Sequence, residues 1–375
     1  MKSGATLLPD AIGPGRVEFP TLLRSIALAD ENLVVCLSFT VFHDERYVQR
    51  LRELPGVEPV ILPIDPDGSW NGFDSGIPQP EPPPWATSVA AERRAVLDRA
   101  HVLVALHSSE DLLSQMPQLR WIQGIGAGME QFARAGVGSE RVIVTNASGV
   151  SSGSMAEWTV GRLLQVWKGF RTDDENQRKH EFRRTHGRTF AGSTVGIVGL
   201  GNIGVAVAER VRALGCRVLG SKRSASPGAT SEHADALYGP DQLHAMLGEC
   251  DAVVVAAPAT EQNRHLIDAK ALAAMRPDAV LVNVARGSLI DQEALVDVMR
   301  RGALRAAVLD VFDPEPLPAE SPLWDLPGVY ISAHSSVATD RYMDDVFDLV
   351  FDNVKRYLDG KPLRNVVNAE ALGFE

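Results

Sequence analysis

The chain has 375 residues, 45% hydrophobic and 23% charged, the composition of an ordinary globular protein with length for two cores. A formal charge of −11 argues against a nucleic-acid partner, and no apolar run reaches the roughly 20 residues a membrane helix needs. Met1 to Ala11 lacks the basic start and apolar stretch of a secretory signal. Cys36, Cys216 and Cys250 have no metal-ligand spacing, so the expectation is a cytoplasmic protein with reduced thiols and no metal.

Residues 1–30 are weakly patterned, with scattered Gly and Pro, and read as an extension. Leu33 to Phe39 is a short apolar run suited to a buried strand. A helical pattern near Arg46 to Leu54 and a strand near Glu58 to Leu62 follow. Asp65 to Trp85, rich in Pro and Gly, is expected to be a surface loop. Ala86 to Arg99 predicts a helix and His101 to Leu106 a strand. Alternating β and α elements of this kind imply a parallel sheet.

The alternation sharpens from residue 194. Val195 to Gly199 is a buried strand, and Ile203 to Leu214 has helical spacing that stops at Gly215. Arg217 to Ser221 and Asp251 to Ala257 are further strands, the second ended by Pro258. Ala279 to Val284, Arg305 to Val311 and Gly328 to Ser332 continue the series, with helices at Asp241 to Leu247, Asp268 to Met275 and Asp291 to Arg301. Six strands with helical crossovers make one doubly wound α/β domain. Asp340 to Leu358 is helical again and is expected to return to the first domain. The expected division is 1–147 plus 338–375 for one domain and 148–337 for the other.

Gly199-Leu200-Gly201-Asn202-Ile203-Gly204 is a G-x-G-x-x-G between a buried strand and a helix. The first glycine permits the tight turn, the second lets backbone approach a pyrophosphate, and the third lets the helix pack on the sheet. The phosphates would then face the free N–H groups of the helix N-terminus. An NAD-selecting site carries Asp or Glu at the end of the next strand. Here that stretch is Ser221-Lys222-Arg223-Ser224, two cations and two hydroxyls that suit a 2′-phosphate. The expected cofactor is NADP, with NADPH preferred and NAD the alternative.

Three polar residues fall just past the carboxyl ends of later strands, the edge where open α/β sheets bind ligands. Arg286 follows AVLVNVA, Glu315 follows AAVLDVF and His334 follows VYISA. Arg presents a fork of donors to a carboxylate and a neighbouring carbonyl. His can deliver the proton a carbonyl oxygen takes up when hydride arrives at carbon, and a carboxylate beside it favours the imidazolium. Each residue alone has a bland structural alternative. Their joint position behind strands of a dinucleotide domain favours reduction of a 2-oxo acid.

With these residues in place, the chain resembles the D-isomer-specific 2-hydroxyacid dehydrogenase family over roughly residues 100 to 360. GSTVGIVGLGNIG resembles its cofactor fingerprint, VLVNVARGSLIDQEAL its arginine segment, AAVLDVFDPEPLP its acidic segment and SAHSSVAT its histidine segment. QGIGAGMEQF resembles its substrate-carboxylate loop, and NASGVSSGSMAEWTVG the approach to its cofactor domain and dimer-forming helix.

The resemblance implies two Rossmann-like domains with an active-site cleft between them. It makes Arg286 the substrate-binding residue, His334 the acid/base and Glu315 its partner. Ala127, Gly128 and Met129 would hold the substrate carboxylate through backbone N–H groups. Asp310 would contact the nicotinamide carboxamide. Pro258 and Val284, with Arg286 and His334, would complete a cofactor site begun by Gly199, Gly201, Asn202, Ile203 and Gly204. A homodimer through the 154–170 helix and a small 2-oxo or 2-hydroxy acid substrate are also implied. The chain departs from the pattern at Ala333, where Pro is usual, at Ser335 and Ser336, and at Lys222, where NAD-using members carry Asp. Phe39, Trp324 and Tyr342 are candidates for pocket walls, with core or dimer contacts the alternative. Two other roles stay open, a dinucleotide-sensing co-repressor-like protein and a phosphite dehydrogenase. Formate-oxidising relatives carry Gln in place of the acidic partner, and Glu315 argues against that activity.

Overall fold

A computed structural model describes residues 32–62, 90–108, 111–129, 132, 137, 142–226, 228–337 and 339–367. The expected extension at 1–30 and the loop at Asp65 to Trp85 lie outside the described residues. The chain divides into two compact units, one made of Met1–Ala147 with Phe347–Glu375 and the other of Ser148–Val346. Among the described residues no helix is long and apolar enough to cross a membrane.

The first unit is built on five parallel strands: β1 Leu33–Leu37, β2 Val57–Ile61, β3 Val102–Ala105, β4 Trp121–Gly124 and β5 Ile143–Thr145. Their order is β2-β1-β3-β4-β5, a doubly wound arrangement whose strand order reverses between β1 and β3. β1, β3, β4 and β5 are buried along their whole length, as a parallel sheet covered on both faces requires. β4 and β5 add two strands to those expected. The final helix, Tyr342–Leu358, contributes its later turns to this unit, where Phe347 packs edge-on against Phe42 with ring centroids 5.3 Å apart. A buried polar chain ties that helix to the sheet. Asn353 donates to Gln123 Oε1 at 2.8 Å, Thr145 donates to the same oxygen at 2.8 Å, and Trp121 Nε1 donates to Thr145 at 2.8 Å. Buried polar groups are tolerated only when paired in this way, each bond contributing about 1 kcal/mol net.

The second unit holds seven parallel strands: β6 Thr194–Val198, β7 Arg217–Ser221, β8 Ala236–Tyr238, β9 Ala252–Val255, β10 Val280–Asn283, β11 Ala306–Leu309 and β12 Val329–Ile331. The sheet order is β12-β11-β10-β9-β6-β7-β8, reversing between β6 and β9. Six strands were expected. The seventh, β8, is a half-exposed edge strand of three residues with no apolar run to announce it. Alternate side chains feed two separate cores. Val253, Val255 and Leu281 pack in one; Ala252, Val254, Val280 and Val282 pack in the other. All three cysteines are free and buried. Burial pushes the Cys36 and Cys250 thiols up to about 12 and Cys216 up to about 11, so none is a nucleophile near neutral pH.

Candidate active site

The phosphate turn lies at the point where the strand order reverses in the second unit. Gly199 follows β6 with φ +98°, and a Cβ there would stand 2.6 Å from the backbone of Ala257 on the neighbouring strand end. Gly204 sits in the first turn of the Asn202–Ala213 helix, where a Cβ would meet Ile197 Cγ2 at 3.0 Å and the carbonyl of Gly199 closer still. Both glycines are therefore required by packing. Gly201 is different: its backbone is extended, and a Cβ would meet no protein atom within 4 Å. The protein's own packing leaves room for a side chain there, so the glycine fits a ligand that approaches the backbone. No side chain caps the helix, and the amides of Asn202, Ile203 and Gly204 open its N-terminal end. These observations fit a dinucleotide pyrophosphate.

At the end of β7, Ser221 is buried, while Lys222, Arg223 and Ser224 are exposed in a turn closed by Ala225 N–H donating to Lys222 O at 3.0 Å. Among the described residues no carboxylate forms an ion pair with Lys222 or Arg223. Pro258, exposed after β9, accepts a 2.8 Å bond from Asn263 Nδ2. Val284 is buried, and its N–H donates to Val255 O.

Because the strands are parallel, β10, β11 and β12 all end at this same edge. After β10, buried Asn283 shapes the turn. Its Oδ1 accepts from Ala285 N–H at 3.0 Å and its Nδ2 donates to Arg286 O at 2.9 Å. Arg286 is half-buried, with Nη1 donating to Ala285 O at 2.8 Å. Gly287 then passes so close to the chain after β11 that a Cβ would lie 2.5 Å from Asp313 N and nearer to the Phe312 carbonyl.

The loop after β11 carries Glu315. One carboxylate oxygen accepts from Phe312 N–H at 3.2 Å and the other meets His334 Nδ1 at 2.6 Å. An ionised carboxylate only accepts, so Nδ1 carries the proton and Nε2 remains for other chemistry. Burial works against ionising Glu315. The hydrogen bond and charge of His334, the Phe312 N–H and the Arg286 charge together outweigh it and hold the carboxyl below its usual range. The loop is braced by an Arg264–Asp313 ion pair at 2.8 Å and by Gln292 Nε2 donating to Asp313 O.

The structure thus brings Glu315 and His334 into contact, with Arg286 acting on Glu315 through its charge. Asp310 is fully buried below His334, bonded to the loop that carries it. Trp324 is half-exposed, with Nε1 donating to Pro318 O at 2.9 Å. Tyr342 is partly buried, and burial raises its hydroxyl above the ordinary range.

Ala127, Gly128 and Met129 belong to the first unit. They follow β4 in a loop held by Ala147 N–H donating to Gly126 O at 2.8 Å and Asn146 Nδ2 donating to Ala127 O at 2.8 Å. The Met129 side chain is buried in that unit's core, so only its backbone can face a ligand. Phe39 is a core residue, with its ring edge-on to Phe42.

The sequence did not single out Asn283, Gln292, Arg264 or Ser332 as supports. A polar Asn inside the otherwise apolar run AVLVNVA was a usable signal for the first. The others act across long separations in the chain and leave no local mark.

Residues 160–336 match the family described as "D-isomer specific 2-hydroxyacid dehydrogenase, NAD binding domain". The glyoxylate reductase of Aeropyrum pernix is 32% identical over 301 residues, covering 78% of this chain and 88% of that one. The D-3-phosphoglycerate dehydrogenase of Methanocaldococcus jannaschii is 31% identical over 264 residues, and the match spans only 49% of that protein. Among solved structures, the NADPH-dependent glyoxylate/hydroxypyruvate reductase of Sinorhizobium meliloti, in complex with NADP and sulfate, superposes with a TM-score of 0.71. It is 27% identical and is covered to 99%, against 91% of this chain. The chain belongs to the D-isomer specific 2-hydroxyacid dehydrogenase family, and its second unit is a nicotinamide-dinucleotide domain.

Proposed function

We propose that the protein is a cytoplasmic, NADPH-preferring reductase that converts a small 2-oxo acid into the D-2-hydroxy acid. The observation that carries this is the 2.6 Å Glu315–His334 contact, at the same sheet edge as Arg286 and the glycine turn. When bound, the dinucleotide supplies the hydride.

The protein's own residues do the rest. The amides of Ala127, Gly128 and Met129 receive the substrate carboxylate, and the Arg286 guanidinium grips the carboxylate and its neighbouring carbonyl oxygen. His334 donates the proton that the carbonyl oxygen takes up, through the nitrogen that Glu315 leaves free. Glu315 fixes the ring's tautomer and stabilises its charged form. The dinucleotide would be held by the 199–204 turn, Pro258 and Val284, while Asp310, fully buried among the Ser332, Ser335 and Ser336 donors, supports the histidine loop. Ser221, Lys222, Arg223 and Ser224 receive the 2′-phosphate. NADPH preference is supported by two exposed cations that form no ion pair with a carboxylate among the described residues. A homodimer through the Ser152–Lys168 helix completes the proposal; sedimentation at the mass of a single 40.5 kDa chain would remove that part.

The deciding experiment is a panel of glyoxylate, hydroxypyruvate, pyruvate, phenylpyruvate and branched 2-oxo acids, each with NADPH and NADH, with chiral analysis of the product. Turnover of at least one acid to the D-product, with higher kcat/KM for NADPH, is expected. An L-product or a clear NADH preference refutes the corresponding part.

A further inference from the structure

His334 has φ +49°, in the left-handed region. A non-glycine residue is strained in such a conformation and keeps it only where its surroundings dictate it. While Glu315 meets the ring, the backbone of this loop is gathered on one buried residue, Asp310. His334 N–H donates to the backbone carbonyl of Asp310 at 2.8 Å. The amides of Ser335 and Ser336 donate to the Asp310 carboxylate, at 2.9 Å and at 3.2 and 3.1 Å. From the other side of the histidine, the Ser332 hydroxyl donates to Asp310 Oδ1 at 2.6 Å.

Asp310 is 0% exposed and forms no ion pair among the described residues. Among the described residues its carboxylate is met by hydrogen bonds, and a buried carboxylate short of donors is costly. Three of the groups that donate to its carboxylate are a hydroxyl and two amides, and only the hydroxyl is encoded by a side chain. Ala333, between Ser332 and His334, is exposed, and its N–H makes no backbone hydrogen bond among the described residues. The family's usual proline, which would stiffen this step, is absent.

We infer that Ser332 is a positioning residue: its hydroxyl, bonded to buried Asp310, locks the loop that holds His334 left-handed and presents Nδ1 to Glu315. This rests on His334 being the proton donor proposed above. The lock serves the reaction by fixing the ring before substrate arrives, so its loss acts on turnover more than on binding.

The test compares Ser332→Ala, Ser332→Thr and His334→Ala, using glyoxylate or whichever 2-oxo acid turns over fastest. Ser332→Ala is expected to lower kcat by about tenfold with KM for NADPH unchanged and Tm lowered by a few degrees, and Ser332→Thr, which keeps the hydroxyl, to restore both kcat and Tm. Hydrogen exchange at the Ser335 and Ser336 amides is expected to quicken in Ser332→Ala. Should that variant not fold, Ser332→Cys, with a weak donor of similar size, is expected to show the same fall in kcat and faster exchange. Wild-type kcat in Ser332→Ala, or a loss that threonine does not repair, overturns the lock while the histidine assignment stands. Survival of activity in His334→Ala overturns the assignment itself, whatever Ser332 does.

Discussion

Replacing Gly287 by Ala adds one methyl where the Arg286 turn crosses the chain after β11. The added carbon would lie 2.5 Å from Asp313 N and closer still to the Phe312 carbonyl, and ordinary contact begins near 3.4 Å, so one segment must retreat by more than about 1 Å. Neither side can yield freely. The Arg286 turn is fixed by Asn283, and the opposing loop by Arg264, Gln292 and the Phe312–Glu315 bond. Overpacking of this kind costs about 1–3 kcal/mol, a fall in Tm of several degrees for a unit of this size. A displacement near 1 Å between substrate-binding and proton-donating groups costs on the order of 100-fold in kcat/KM. The assay is steady-state reduction of a 2-oxo acid, with NADPH binding followed separately by fluorescence. Gly248→Ala is the control, because its added carbon would lie no closer than 3.4 Å to the Ala274 carbonyl, an ordinary contact, and it should leave the rate intact without lowering Tm. Wild-type kcat/KM in Gly287→Ala would show that the two loops do not set each other's position, and the geometric reasoning would fall.

Replacing both Lys222 and Arg223 by Ala is expected to lower kcat/KM with NADPH at least tenfold and leave NADH nearly untouched, since charge-assisted bonds to a phosphate contribute about 1.5–3 kcal/mol each. An equal loss with both cofactors would count against a 2′-phosphate role. His334→Ala is expected to lower reduction 10²–10⁴-fold. In the first unit, burial, only partly offset by the hydrogen bond to Leu37 O, pushes His43 down from 6.5 to about 4. The unfolded chain therefore takes up this proton first. Stability is full above pH 6.5, falls as pH drops toward 4 by about 3 kcal/mol, and levels below. His43→Asn should flatten that stretch of a Tm-against-pH plot, and an unchanged slope would exclude His43 as its source.

The dinucleotide unit was legible because its strands are largely apolar runs, followed within a few residues by Gly199, Arg286, Glu315 and His334. Residues just past the carboxyl ends of parallel strands lie toward one edge of the sheet, so topology brought them to the same side. The first unit was harder to follow. β4 and β5 are four and three residues long, and buried Gln123 and Thr145 interrupt their apolar pattern. What makes those polar residues admissible in a core is Asn353, 230 positions beyond Gln123. The Ser332–Asp310 bond was hidden for the same reason. Hydrophobic periodicity reports which face of an element is buried, and says nothing of which polar groups meet once it is.

That long-range pairing also sets an order of events during synthesis. The second unit is a continuous stretch, complete when Val346 has been made. The first is begun earlier, yet it needs Asn353 for Gln123 and Val366 for the bridge to Thr145. The portion translated first is thus the last to close, and its exposed sheet must wait through about 200 further residues. A ribosome that stalls after the dinucleotide unit would release a folded cofactor binder attached to an unfinished, aggregation-prone partner.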